Sequence, residues 1–284
     1  SFPTRRSSDL NERVKTFLLS SDSYDYDIMF ITDISVNDAE VLKLITDFNL
    51  TNEAVLLDHH ATALSLNQFD WATVTVKDSS EKLTCGTELL YRWFKMIHLL
   101  FFSRPVDDFV RYVTGWDTFL WKTDEKVYSL SDSFNLLLNK YTKESFVYKM
   151  CYRLESLYNE PFTLDAEDTS FVESKKFERE TYIANAMSSA YKTVSKDGKP
   201  IGILFSTVKE FDSMLGNKYC EDNPDIDYCV IINIATGYTS LRSCKDTIHV
   251  GNIAKQHGGG GHDKAAGYIV KYNVDDILDL GFRP

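Results

Sequence analysis

Asp58-His59-His60 follow directly on the apolar run Ala54-Val55-Leu56-Leu57. An apolar stretch that stops at an acid and two imidazoles reads as a buried strand. Its C-terminal edge would deliver polar groups into a crevice, where open α/β sheets bind ligands. Carboxylate and imidazole are also donors suited to borderline divalent metals such as manganese, iron and zinc. Residues 27–34 form a second apolar run, with Asp33 near its far end, and Asp117 lies in the aromatic segment from Gly115 to Trp121. Taken singly, Asp33 reads as a helix N-cap or turn acid and Asp117 as a turn acid beside packed tryptophans. Each histidine alone is as readily an ordinary surface or core imidazole. Their joint appearance at the ends of apolar segments is what favours a reactive cluster.

The elements that must position these groups are legible from periodicity. Between the two apolar runs, Asn37-Asp38-Ala39-Glu40 opens a helix with Val41, Leu42, Leu44, Ile45 and Phe48 on one face, and Asn37 or Ser35 is the expected N-cap. Strand, helix, strand makes a βαβ unit and a parallel sheet. Cys85-Gly86-Thr87 leads into a helix over Glu88 to Phe94, and Pro105 to Thr114 starts another. Residues 142–192 are mostly helical by pattern, broken near Pro161, with Glu173 to Tyr191 suited to a solvated connecting helix. Beyond the hairpin signal Asp197-Gly198, residues 201–205 and 228–234 read as short strands, with a polar loop from Cys220 to Asp227.

A second set of chemically suggestive residues closes the chain. Gly258-Gly259-Gly260-Gly261-His262 lacks the Gly-Lys-Ser/Thr ending of a Walker loop. Its glycines permit positive φ and a nest of backbone N–H groups for an anion. The bland alternative is a flexible loop. Ala265-Ala266-Gly267 keeps side chains small where another surface must approach. Arg242, at the end of Ser240-Leu241-Arg242, reads as a surface charge or as a fork for a phosphate.

Bulk properties narrow the classes. The 284 residues, 43% hydrophobic, suffice for one large domain or two ordinary ones. No apolar run reaches the roughly 18 residues of a membrane span. Five cysteines without a Cys-x-x-Cys pair suggest reduced thiols and a cytoplasmic location. A net charge of −11 argues against long duplex nucleic acid as a partner, since that affinity comes from basic surface. A small anionic substrate remains open if metal ions or a local basic pocket supply positive charge. Ser1 to Leu10 resembles a translated sequencing-adapter scar and is set aside from the fold reading, with the native beginning expected to be missing.

Thr32-Asp33-Ile34-Ser35, Asp58-His59-His60, Gly115-Trp116-Asp117-Thr118 and Ser240-Leu241-Arg242-Ser243 with the glycine-rich His-x-x-Ala-Ala-Gly segment resemble, in order and rough spacing, the DHH/DHHA1 phosphoesterase family. The wording around Asp33 and Asp117 is most similar to nanoRNase B-type oligoribonucleases. The resemblance implies an α/β fold: a parallel-sheet DHH domain over 11–162 without its first strand, a linker helix over 163–190 and a smaller α/β DHHA1 domain over 191–284. It implies two Mn²⁺ ions, with Mg²⁺ as a substitute. Asp33 would bridge them, and His59 and Asp117 would complete the second ion's shell. His60 would face the scissile phosphate, Asp58 would orient the imidazoles, and Arg242, Gly259, Gly260, Gly261 and His262 would hold substrate. The family's His-x-x-x-Asp-x-Asp cluster has no match; Asp25-Tyr26-Asp27 is read as a solvated turn, so weak or absent activity is expected of this chain. The substrates implied are short oligonucleotides, or else cyclic dinucleotides or 3′-phosphoadenosine 5′-phosphate, with non-catalytic nucleotide binding as the remaining alternative. No membrane association is expected, and a homodimer is compatible with the reading.

Overall fold

β2 (Glu53–Asp58) is the central strand of a three-stranded parallel sheet, between β1 (Ile28–Thr32) and β3 (Ala72–Val74). The computed structural model describes residues 7–98, 103–233 and 235–270. Residues 1–6 of the scar-like segment, Ile234 of the expected strand over 228–234, and 271–284 of the expected second domain lie outside the described residues. Ser7 to Leu10, set aside in the sequence reading, form the first turns of helix α1 (Ser7–Leu19).

The two faces of the sheet are covered differently, and the strand sequences match this. Ala54 and Leu56 join Met29 and Ile31 in a core with Val41, Ile45 and Phe48 of α2 (Ala39–Phe48). Val55 and Leu57 turn the other way, against Leu89 of α3 (Gly86–Met96), with Phe30 and Trp93 beside them. A strand buried on both faces needs an unbroken apolar run, which Ala54 to Leu57 supplies. α2 is capped by Asp38, whose side chain accepts from the N–H groups of Glu40 and Val41, and not by Asn37 or Ser35. Asn37 is instead paired with Asn11, and Ser35 is used at the site described below.

Helices α4 (Arg104–Asp117), α5 (Ser131–Lys140) and α6 (Lys143–Ser156) build a second core around Phe134, Leu137, Met150 and Phe162. α7 (Ala166–Ser188) follows the break at Pro161. The chain divides into two compact units, 2–172 and 173–284, inside this helix. The later part of α7 is not a solvated connector. Ile183 and Ala186 are buried with Leu204, Leu215 and Ile231 in the core of the second unit, because two apolar residues one turn apart suffice to dock an otherwise charged helix.

The second unit carries a mixed sheet ordered β4-β5-β6-β7-β9-β8, with strands Tyr191–Val194, Pro200–Ser206, Tyr228–Asn233, Tyr238–Arg242, Gly260–Gly261 and Ala265–Ile269 for β4 to β9. β5 and β6 run parallel and the other neighbours antiparallel. Helix α8 (Asp212–Asp222) extends through Cys220, so the expected polar loop begins only at Asn223. Tyr219 and Cys220 pack into the core, and that burial keeps the helix going into a polar sequence. Helix α9 (Val250–Gln256) precedes the glycine-rich segment. All five cysteines are free thiols.

Leu56 is fully buried two residues before the polar triplet. Leu56→Ala should lower the unfolding free energy by about 2–5 kcal/mol in urea titrations, the usual cost of emptying a buried leucine site. A loss below about 1 kcal/mol would show that the sheet is not the stabilising centre of this unit.

Candidate metal centre

The parallel register sets Thr32 beside Leu57, so β1 and β2 end together and release Asp33 and Asp58 at one sheet edge. The Asp33 N–H donates to the Leu57 carbonyl at 3.0 Å, continuing the ladder one residue beyond the strand. Asp33 then takes a left-handed backbone, with φ at 60°. Few non-glycine residues do so, and aspartate is among the more tolerant. The start of α3 presses against this turn: a methyl on Gly86 would lie 2.8 Å from Asp33 Cβ and 3.1 Å from its backbone N. Gly86 therefore lets the helix approach the strand end.

Asp58 is fully buried and satisfied on both oxygens. Its Oδ1 accepts from His59 N–H at 2.8 Å and lies 2.7 Å from His60 Nδ1, while Ser35 Oγ donates to Oδ2 at 2.8 Å. Burial pushes the carboxyl's pKa up, but the bonds from His60, Ser35 and the His59 amide outweigh it and hold Asp58 below its ordinary value. The same bond to Asp58 raises the pKa of His60 against an opposing effect of burial. With Nδ1 engaged, Nε2 is the ring atom His60 has left for a ligand. Its side chain is about half exposed, at 47%.

His59 points its Nε2 at two carboxylates, Asp33 Oδ1 at 2.9 Å and Asp117 Oδ2 at 3.2 Å. Asp117 arrives from the last residue of α4, far from the strands in sequence. The hydrogen bond with Asp33 raises the His59 pKa, burial opposes this, and Asp117 adds to the rise. The Asp117 pKa is itself raised, first by desolvation and also by the nearby Asp33 charge, with His59 opposing. Three donors from three segments thus face one another.

Their spacing suits a divalent cation. Two ligands at about 2.1 Å from an ion, at right angles, lie about 3 Å apart. The separations of 2.9 and 3.2 Å fit that geometry. Donor atoms of Asp33, Asp58, His59 and His60 also lie within 4.8 Å of one another, the one such group among the described residues. Asp25 and Asp27 precede β1 and are exposed, so the length of the strand separates them from Asp33, about 17 Å for five residues. They cannot join this centre, in keeping with their reading as a solvated turn.

Arg242, Gly259, Gly260, Gly261 and His262 belong to the other compact unit. Arg242 is buried at the end of β7, not a surface charge; its Nη1 donates to the Leu241 carbonyl at 2.8 Å, and Nε has no partner among the described residues. The expected nest of amides is largely spent internally. Gly258 and Gly259 N–H donate to Lys255 and Ala254 carbonyls, and His262 N–H to Ala265. The glycines serve close packing instead, since a methyl on Gly259 would meet the Gly267 carbonyl at 2.2 Å. His262 is exposed.

No protein-family profile matches the chain. It is 33% identical over 275 residues to the oligoribonuclease NrnB of Bacillus subtilis, a match that takes in 95% of the chain and 66% of the relative. An uncharacterized protein of Acanthamoeba polyphaga mimivirus is 24% identical over 236 residues, 79% of the chain and 49% of that protein. The chain thus spans 66% and 49% of the length of these two curated relatives. Among solved structures, the DHH domain of a member of the S1P family of ribosomal proteins superposes with a TM-score of 0.54 at 13% identity, covering 91% of this chain and 70% of that one. RecJ of Thermus thermophilus, solved with Mn²⁺, gives 0.52 at 12% identity over 92% of this chain and 44% of its own. The chain belongs to the DHH/DHHA1 family. Within this family fold, the Asp-His-His triplet at the end of β2 divides its labour: Asp58 is enclosed, His59 faces the carboxylates and His60 faces outward. Sequence reasoning did not single out Ser35 or Gly86 for the DHH centre. A hydroxyl beside a buried acid and a glycine opening a helix were the available signals.

Three outcomes follow from this geometry. Metal binding to His59 requires a neutral imidazole, so its raised pKa makes binding release protons. Calorimetry with Mn²⁺ should show affinity rising with pH from about 6 upward, and pH-independent affinity would remove His59 as a ligand. In chelator-treated protein, the raised pKa values of His59 and His60 favour folding most below their unfolded value of about 6.5, a contribution lost as pH rises through the folded values. The lowered Asp58 pKa contributes above about 3.8 and is lost as pH falls through its folded value. Asp58→Asn should therefore move the His60 pKa, read by NMR, down toward 6.5; an unchanged value would show that Asp58 does not set it.

Proposed function

We propose that this chain is a metal-dependent phosphodiesterase that hydrolyses short oligoribonucleotides. The observation that carries the reading is the convergence of Asp33, His59 and Asp117 on one point, with His60 alongside. The similarity to a protein named an oligoribonuclease supports the choice of substrate. Asp33, His59 and Asp117 would hold Mn²⁺, with Mg²⁺ as a substitute, and a second ion would share Asp33. Such ions supply positive charge to the phosphate and acidify water at neutral pH.

The remaining steps belong to the chain itself. His60, whose bond to the buried Asp58 favours its protonated form, would offer Nε2–H to the scissile phosphate and could pass that proton to the leaving oxygen. Asp58 fixes the ring's orientation and stabilises the imidazolium. In the domain reading, 11–162 holds the metals and 191–284 contributes the exposed His262 to substrate binding. With a net charge of −11, a short ligand drawn by local cations is a better partner than a long duplex. A cytoplasmic enzyme, free or as a homodimer, suits this role, and no described helix is long and apolar enough to cross a membrane.

Of the proposed ligands only Asp33 would be shared with a second ion, so turnover should be slow. A labelled RNA dinucleotide incubated with Mn²⁺ should release mononucleotide, ahead of a 3′-phosphoadenosine 5′-phosphate or cyclic dinucleotide control. Chelation or Asp33→Ala should abolish release, and His60→Ala should cut kcat by about 10²–10⁴-fold. Mn²⁺ binding without any hydrolysis of these three substrates would favour a non-catalytic nucleotide-binding protein.

A further inference from the structure

Three aromatic side chains crowd the turn that delivers Asp117. Trp116 and Trp121 stack with ring centroids 5.2 Å apart and planes 16° from parallel. Between them Phe119 is 60% exposed, and it holds a left-handed backbone with φ at 60° and ψ at 13°. A bulky residue in that region is a genuine outlier, and such strain persists only where the surroundings over-determine it. Here they do. Phe119 N–H donates to the Trp116 carbonyl at 3.3 Å and its own carbonyl accepts from Lys122 N–H at 3.1 Å; Thr118 is tied twice to the Thr114 carbonyl. Glycine or asparagine would serve this turn without strain, yet the position carries an exposed phenyl ring two residues from a proposed metal ligand.

We infer that Phe119, on the turn braced by the stacked Trp116 and Trp121, is a stacking platform for a nucleobase of the substrate. The inference rests on the phosphodiesterase reading and names what holds the nucleoside beside the cleaved phosphate. Two residues of chain place Phe119 within about 7 Å of Asp117, measured between Cα atoms. Three carboxylates at this centre repel a phosphate until cations bind, so an uncharged contact with the base adds affinity that ionic attraction cannot. Every base has a π-face, and stacking on aromatic side chains is tolerant of sequence. Trp121 Nε1 is buried with no hydrogen-bond partner among the described residues, so that indole is kept for its ring and not for its N–H.

The test reads binding alone, which separates it from any failure of the hydrolytic reading. Adenosine 5′-monophosphate and ribose 5-phosphate are titrated calorimetrically into the full chain with Mn²⁺. They share the phosphate and differ by the base. The nucleotide should bind about 5- to 150-fold more tightly, in line with one base stacked on an aromatic ring. Phe119→Gly should pull that ratio toward one while raising Tm, because the left-handed strain is relieved. Phe119→Tyr should restore the ratio. Equal affinity for both ligands in the unaltered chain, no binding of the nucleotide, or a ratio that survives Phe119→Gly would each overturn the inference.

Discussion

A carboxylate with no solvent access must find its hydrogen bonds inside the protein, and Asp58 makes that demand at the end of β2. Leaving a buried charge unsatisfied costs several kcal/mol. Asp58 meets the demand with the Ser35 hydroxyl, the His59 amide and the His60 ring. Each bond also fixes something useful. The link to Ser35 ties down the loop after Asp33, the amide bond sets the chain direction into His59, and the ring bond selects the His60 nitrogen that faces outward. The acid that touches no proposed substrate or metal thus determines where the others point.

The second constraint is steric. The parallel register ends β1 and β2 side by side, Asp33 turns left-handed just beyond, and α3 can approach that turn only because residue 86 is glycine. Asp117 comes from the opposite kind of terminus, the last residue of α4. Helix C-termini carry partial negative charge from unpaired carbonyls, which adds to the attraction for a cation. Strand ends and a helix end therefore supply one centre.

In the C-terminal unit the glycine-rich segment does structural work that its composition did not announce. Gly259 and Gly261 allow β8 to lie against Gly267 and Ala266 of β9 at distances no side chain would permit. Arg242 is likewise enclosed, against Gly216 of α8. The small residues Ala265-Ala266-Gly267 were correctly read as a surface made for close approach, and the approaching partner is the glycine strand itself.

Much of this was legible without coordinates. The apolar runs ending at Asp33 and Asp58 predict two parallel strands sharing an edge, because period and composition are local properties. The same holds for α2 and for the family motifs. The joining of Asp117 to Asp33 and His59 was legible only through resemblance to known proteins; nothing local ties residue 117 to residue 33. Helix ends were misjudged where tertiary burial overrode local preference, as at Cys220 and the later part of α7, whereas the cap at Asp38 is a local choice among neighbouring polar residues. The sequence by itself, through composition and hydrophobic pattern, determined an acidic α/β chain with acids and imidazoles at strand ends. Only the tertiary structure decided that Asp58 is sealed, that His60 presents Nε2, and that Arg242 lies inside, because burial and hydrogen-bond partnership depend on segments distant in sequence.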